Sequence, residues 1–227
     1  MIRWSLLDTA TVPGDGGELK LMQRGTEYSI MSGPVVLMSS RLSGSEEALA
    51  TLAAARLQNR PRPRVLIGGY GMGFTLRAAL KAFGPGASIV VGELVPAVVA
   101  WARGPMAHLS GDSLADPRLT LREGDVTTMI AGANGVYDAI LLDVDNGPEG
   151  LSRAGNDRLY DPQGLAAARR ALSPGGLLLI WSSYRDERFT KRLRQAGFAV
   201  EELSVRATGG AKGDRHVIWV AAAPGRR

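Results

Sequence analysis

No cysteine occurs in this chain. Disulfides, zinc–thiolate sites and thiol nucleophiles are therefore excluded. Histidine occurs only at His108 and His216, too few for a histidine-based metal cluster, and no metal is expected. Lysine is also scarce: Lys20, Lys81, Lys191 and Lys212 are outnumbered by arginines, which are scattered. The net charge of +5 raises nucleic acid as a partner. No basic run is interleaved with aromatics, so no nucleic-acid partner is expected. The densest basic cluster, Arg60-Pro61-Arg62-Pro63-Arg64, reads as a stiff solvated linker. No apolar stretch reaches the roughly 18 residues of a membrane span, and no membrane partner is expected. The start, Met1-Ile2-Arg3-Trp4-Ser5, lacks the basic-then-apolar order of a signal peptide, and a cytoplasmic location is the expectation.

What the chain does have is glycine in one telling place. Val65-Leu66-Ile67-Gly68 is a short apolar run, Gly69-Tyr70-Gly71-Met72-Gly73 follows, and Phe74-Thr75-Leu76-Arg77-Ala78-Ala79-Leu80 starts a helix. Strand, glycine turn and helix present backbone N–H groups to a nucleotide. Twenty residues after Gly73, Glu93 closes the next apolar run, where a carboxylate accepts from ribose hydroxyls. A dinucleotide fingerprint would put its third glycine where Phe74 stands. The spacing present is similar instead to motif I of S-adenosylmethionine (SAM)-dependent transferases.

Strands are expected near 64–68, 88–93, 119–123, 137–143, 176–182, 198–205 and 216–222, and helices near 74–83, 95–102, 126–131, 162–172 and 187–196. Their alternation predicts an α/β fold: a seven-stranded, mostly parallel sheet of SAM-methyltransferase-like Rossmann type, its last two strands antiparallel. Residues 1–42 read as an N-terminal β-hairpin appendage, and residues 43–227 as the Rossmann transferase domain. In the appendage, Glu18-Leu19-Lys20-Leu21-Met22-Gln23 and Glu27-Tyr28-Ser29-Ile30 alternate about Gly25-Thr26, and Val35–Met38 is a further strand. Pro13–Gly17 is a loop tip. Ser43-Gly44-Ser45-Glu46 has the capping-box pattern, opening a helix through about Gln58.

In such a sheet the ligand lies beyond the carboxyl ends of the strands. Glu93, Asp125 and Asp143 fall at three consecutive ends. Asp125 is placed to accept from an adenine amino group and the Val126 N–H to donate to the ring. Asp143 follows the apolar Ala139-Ile140-Leu141-Leu142, so shelter from water is expected, suiting it to take a proton from an attacking amine. Asp145 adds negative charge, or with Asp143 only shapes the Asn146-Gly147-Pro148 turn. Tyr160, in Asn156-Asp157-Arg158-Leu159-Tyr160, closes over substrate or packs against the following helix. Ser182 and Tyr184 are expected to face the cleft.

With these elements in order, the chain resembles the spermidine synthases, the polyamine aminopropyltransferases. The resemblance rests on the glycine segment with its trailing Leu76-Arg77, on Glu93-Leu94-Val95-Pro96, on Gly124-Asp125, on Tyr137–Asp143 and on Leu172–Gly176. It implies that Gly69, Gly71, Gly73, Glu93, Asp125, Val126 and Asp143 hold SAM or decarboxylated SAM. It also implies that Asp143, Asp145 and Tyr160 serve transfer of an aminopropyl or methyl group to a small-molecule amine. Two departures stand out. Met72 occupies the position of an acid that faces the decarboxylated end of the nucleotide, and Asn146 that of a second acid. The family's Tyr-His-Glu segment is replaced by 38–47, where Arg41, Glu46 and Glu47 either line the pocket mouth or lie on the surface. The chain therefore reads as a divergent branch. A non-catalytic nucleotide-binding homologue and an NAD(P)-dependent oxidoreductase are the alternatives. Exposed edges of the β-appendage lead us to expect a homodimer.

Overall fold

The computed structural model describes residues 2–14, 17–144, 157–208 and 213–225. Two sheets organise the chain. The first is an antiparallel meander of β1 (Ser5–Thr11), β2 (Glu18–Arg24), β3 (Glu27–Ser32) and β4 (Val35–Ser39), in that order. The expected hairpin is present, with Gly25 at φ +61° in its turn. Strand β1 is an addition. Its Leu6-Leu7 pair breaks the alternation that marks a strand, and its pairing with β2 slips between Leu6 and Asp8.

Helix α1 (Gly44–Arg56) leads into the second sheet. That sheet comprises β5 (Arg64–Gly68), β6 (Ser88–Glu93), β7 (Leu119–Glu123), β8 (Tyr137–Leu142), β9 (Leu172–Ser182), β10 (Ala199–Arg206) and β11 (Arg215–Ala222). Their spatial order is β10-β11-β9-β8-β5-β6-β7, parallel throughout except that β11 runs antiparallel to both neighbours. The helices between are α2 (Phe74–Ala82), α3 (Pro96–Arg103), α4 (Ala107–Ser110), α5 (Val126–Ala131), α6 (Asp157–Tyr160), α7 (Pro162–Ala171) and α8 (Glu187–Gln195). None of the described helices is long and apolar enough to cross a membrane. The short helices α4 and α6 were not anticipated. β9 begins four residues earlier than expected, because the Ser173–Gly176 turn sits inside the ladder at a register shift against β8.

Strand alternation feeds two cores, one on each face of the large sheet. Val65, Ile67, Ala139, Leu141 and Leu179 face one; Leu66, Ile140, Leu142, Leu178 and Ile180 face the other. The first core also takes in Leu19, Leu21, Tyr28 and Ile30 of the small sheet, with Leu49 and Ala53 of α1. The small sheet is thus packed into the same apolar cluster as the parallel strands. Trp101 Nε1 adds a polar tie, donating to Asp8 Oδ2 at 2.7 Å.

Two local expectations need correction. Ser43 stands at the N-cap of α1 but makes no side-chain capping bond, because Glu46, its would-be partner, is turned into the protein and buried. Arg60 is not a solvated linker residue. It donates to Asp138, to Ser173 Oγ at 2.7 Å and to the Pro174 carbonyl at 2.6 Å, pinning the entry to β5 against β8 and β9.

Candidate functional site

The chain leaves β5 for β6 and β7 on one side and returns to β8 and β9 on the other, so the strand order reverses between β5 and β8. Crevices form at such reversals. Here the crevice is a cavity of about 160 Å³, closed over by the small sheet. Its floor is made by the carboxyl ends of β5, β6, β7 and β8, through Gly69, Glu93, Asp125 and Asp143. Val12, Leu19, Ile30, Leu37 and Met38 roof it.

The glycines are needed where they stand. Gly69 has φ +85°, and a Cβ there would fall 2.6 Å from the Asp143 carbonyl oxygen. Gly71 has φ +54°, and a Cβ there would run into Met38 of β4. Both line the cavity, whereas Gly73 does not; it caps α2 from the left-handed region. Met72 is 1% exposed in the first core and also does not line the cavity. The acid that the resemblance puts at this position is absent, and the methionine that stands there turns into the core rather than to the cavity.

Glu93 is buried, and both its oxygens accept backbone bonds: Oε2 from Tyr70 N and Oε1 from Val95 N, each 2.8 Å. Burial pushes its carboxyl up, and the amides of Val95, Tyr70 and Gly71 pull back toward the ionised form. Carboxylate oxygens keep further lone pairs for hydroxyl donors. Asp125 caps α5, its Oδ1 accepting from Thr127 N at 2.7 Å, and stands exposed at the rim, with Val126 buried beside it. Asp143 closes the floor. Its Oδ2 accepts from Thr75 Oγ1 of α2 at 2.9 Å, and burial pushes its carboxyl up to about 6 against that bond.

A fourth carboxylate enters from α1. Glu46 is 7% exposed and lines the cavity, while Arg41 and Glu47 do not. Glu47 pairs instead with Arg77 at 2.6 Å, and Arg41 with Glu27 at 3.6 Å. Glu46 Oε2 accepts from Ser45 Oγ at 2.7 Å, and Ser45 Oγ lies 2.8 Å from His216 Nδ1. Burial, then the charge of Asp143, pushes the Glu46 carboxyl up to about 8. Among the described residues no Lys, Arg or His lines the cavity.

The remaining expectations part company with the site. Asp145 and Asn146 lie outside the described residues, as does Asn156. Tyr160 is 2% exposed in the second core, its ring edge-on to Phe189 of α8 at 5.7 Å, and it does not line the cavity. Ser182 and Tyr184 do not line the cavity either, since Ser182 Oγ turns to the Tyr184 carbonyl at 2.8 Å; Trp181, one residue earlier, takes that wall. His108 stacks at a tilt on Tyr28 with centroids 5.4 Å apart. Thr75, Trp181 and the Ser45–His216 contact were missed. They are brought together only by the folding of α1, α2, β9 and β11 around β8.

The reversed-edge seven-stranded sheet and the crevice at its switch point define a methyltransferase-like Rossmann fold. In sequence and in fold the chain is spermidine synthase-like. It is 31% identical over 153 residues to polyamine aminopropyltransferase 1 of Streptomyces coelicolor, a match covering 64% of this chain and 28% of that protein. It is 33% identical over 151 residues to the polyamine aminopropyltransferase of Mycobacterium tuberculosis, covering 62% and 28%. The chain thus matches less than a third of the length of either relative. A spermidine synthase crystallised with the transition state analogue AdoDATO superposes with TM-score 0.73 at 17% identity, over 96% of this chain and 72% of that one. The spermidine synthase of Thermotoga maritima gives TM-score 0.72 at 16% identity, over the same shares. No family model matches the chain.

Proposed function

We propose that this chain is an S-adenosyl-nucleotide-dependent transferase that moves an aminopropyl group from decarboxylated SAM to a small-molecule amine. The observation that carries the reading is the charge of the cavity: Glu46, Glu93, Asp125 and Asp143 line it, with no cationic side chain among the described residues. Such a wall favours a ligand bearing a sulfonium and an ammonium, and offers nothing to the α-carboxylate of SAM. The relatives named for aminopropyl transfer, and the solved spermidine synthase with AdoDATO, support the same choice.

The residues fit the nucleotide. Glu93 is held rigid by two backbone amides and would take the ribose hydroxyls. Asp125 and the Val126 N–H would take the adenine edge, and Gly69 and Gly71 let the backbone come close where a Cβ would intrude. When bound, the nucleotide supplies an electrophilic carbon beside sulfur, which the acceptor nitrogen attacks as the carbon–sulfur bond breaks. Asp143 orients that nitrogen and takes its proton. A carboxyl raised to about 6 is ionised at neutral pH yet basic enough to accept. Thr75 fixes its direction through the 2.9 Å bond. Positioning supplies most of the acceleration. Methyl transfer from SAM is the second reading, favoured by the loss of the acid at Met72. The apolar side chains of β1 and β4 that face solvent, Leu6, Leu7, Val35 and Val36, support a homodimer through the small sheet.

Calorimetric titration with decarboxylated SAM and, separately, SAM tests the reading. Tighter binding of the decarboxylated form is expected; preference for SAM moves the assignment to methyl transfer. Asp143→Asn should keep nucleotide affinity and lower turnover roughly 10²–10⁴-fold, the usual worth of a general base. Unchanged turnover removes Asp143 from its role.

A further inference from the structure

Glu46 is a costly residue to bury. A carboxylate facing another carboxylate across an apolar-roofed cavity is disfavoured unless it holds a proton or meets a cation. Its surroundings name the charged groups that matter. Glu47, next on α1, is matched by Arg77 of α2 at 2.6 Å. Thr75 of α2 sends its hydroxyl to Asp143 at 2.9 Å and lies 3.3 Å from the Glu46 carbonyl. Asp143 closes β8 opposite, and Trp181 of β9 stacks edge-on to His216 of β11 at 4.7 Å. Burial holds the His216 imidazole below its ordinary value, and the charge of Asp214 pulls part of the way back toward the protonated form. The way out from Glu46 is a hydrogen-bonded chain: Glu46 Oε2 to Ser45 Oγ at 2.7 Å, then Ser45 Oγ to His216 Nδ1 at 2.8 Å. Ser45 is fully buried and His216 half-buried, so the chain runs from the cavity wall toward solvent.

Ser45 has one proton and two neighbours able to accept it. Two arrangements satisfy the chain. In one, protonated Glu46 donates to Ser45 Oγ and Ser45 donates to Nδ1. In the other, Nδ1–H donates to Ser45 and Ser45 donates to the Glu46 carboxylate. Passing from the first to the second moves one proton, net, from Glu46 to His216. Starting from the Nε2–H tautomer it makes an imidazolium, which then loses Nε2–H to water.

We infer that Glu46 is a specificity-determining residue that gives up its proton through Ser45 to His216 when an ammonium group docks between it and Asp143. This deepens the proposed amine reading and rests on it. Before an amine docks, the neutral Glu46 leaves Asp143 as the ionised member of this facing pair. A docked cation makes the second carboxylate favourable, and the displaced proton leaves by the relay without crossing the ligand. A carboxyl raised to about 8 holds its proton at neutral pH, as the device requires. Neutral amines and alcohols of the same shape cannot drive the exchange and are discriminated against.

The experiment uses 1,4-diaminobutane as probe, with adenosine present, at pH 7. Calorimetry in two buffers of different ionisation enthalpy should give about one proton released per diamine for the wild type and about none for Glu46→Gln, with affinity about tenfold weaker. Two histidines make the second readout simple: the ring signals of His216 are assigned by comparison with His216→Gln. Saturation with diamine should raise the His216 titration midpoint by about one pH unit, because an ionised Glu46 favours imidazolium. The shift should vanish in Glu46→Gln and in Ser45→Ala. The same proton count in Glu46→Gln, or an unmoved His216 midpoint in the wild type, overturns the inference. Adenosine titration keeps two failures apart. A wild type that binds no adenosine overturns the nucleotide reading, whereas adenosine bound equally by both proteins with unchanged proton counts overturns the role of Glu46 alone.

Discussion

The two walls of the cavity are built by different means. The floor is a set of strand ends: Gly69 and Asp143 stand one residue past β5 and β8, Asp125 two past β7, and Glu93 is the last residue of β6. Each was placed by a pattern that spans fewer than ten residues. The opposite wall is assembled from pieces distant in the chain: Met38 from β4, Glu46 from α1, Trp181 from β9, with His216 of β11 behind. Glu93 and Asp125 of the floor are held by backbone amides and are therefore fixed in place, while Asp143 is aimed by the Thr75 hydroxyl. The far wall is held by side chains whose protons can move. A motif-built surface binds what the fold always binds; a surface assembled by packing is free to choose the acceptor.

The largest expected effect breaks the floor. Glu93→Ala leaves the amides of Tyr70 and Val95 buried without an acceptor, costing about 1–3 kcal/mol each, and removes the proposed ribose acceptor. Adenosine affinity of the folded variant should fall by roughly 10²-fold or more in calorimetric titration. An affinity within threefold of the wild type would mean that the floor is not where the nucleoside sits.

That floor was legible because strand ends are local. Short apolar runs fix β6 and β8, with Glu93 and Asp143 as the next acids, while Asp125 after the mixed β7 is marked by the Gly124-Asp125 pair. The placement of Tyr160 is not legible in this way. It follows a stretch with no periodic pattern, and only the packing of Phe189 from α8 decides that its ring turns into the second core. The capping box at Ser43 failed similarly. The Ser-x-x-Glu spacing is real, yet a buried neighbourhood offers Glu46 a stronger partner in Ser45 than the helix end does. β1 was hidden by Leu6-Leu7, and Met72 looked exposed to ligand because spacing does not say which way a loop side chain points. Proximity of Ser45 to His216, 171 residues on, leaves no trace in either segment.

The next effect belongs to the far wall and is read in stability. Glu46 ordinarily titrates at 4.5, and the fold raises it to about 8. A raised carboxyl binds its proton more tightly in the folded state, so its contribution is fully present below about 4.5 and is lost as pH climbs toward 8. Glu46→Gln removes that loss and keeps an acceptor for Ser45. Its Tm should match the wild type at pH 4.5 and exceed it at pH 8.5, by roughly 5–10 °C for about 2–4 kcal/mol. Equal differences at both values would mean that Glu46 is not buried as a carboxylic acid, and the contrast between the walls would lose its electrostatic half.

The smallest effect lies on the seam where the walls meet. Gly71 and Gly135 both sit in the left-handed region, at φ +54° and +63°. They differ in what surrounds them: a Cβ at Gly135 meets nothing within 4 Å, while one at Gly71 meets the Met38 side chain. Either glycine changed to alanine should cost about 1–2 kcal/mol of backbone strain, seen as a matching drop in unfolding midpoint. Gly71→Ala must also displace Met38 from the roof, so it alone should weaken adenosine binding, by a few-fold, and Met38→Ala in the same chain should restore part of that loss. The restored part isolates the contact from the strain, since φ is untouched by the second change. If both glycine variants bind adenosine alike, the small sheet does not press on the glycine turn, and roof and floor act independently.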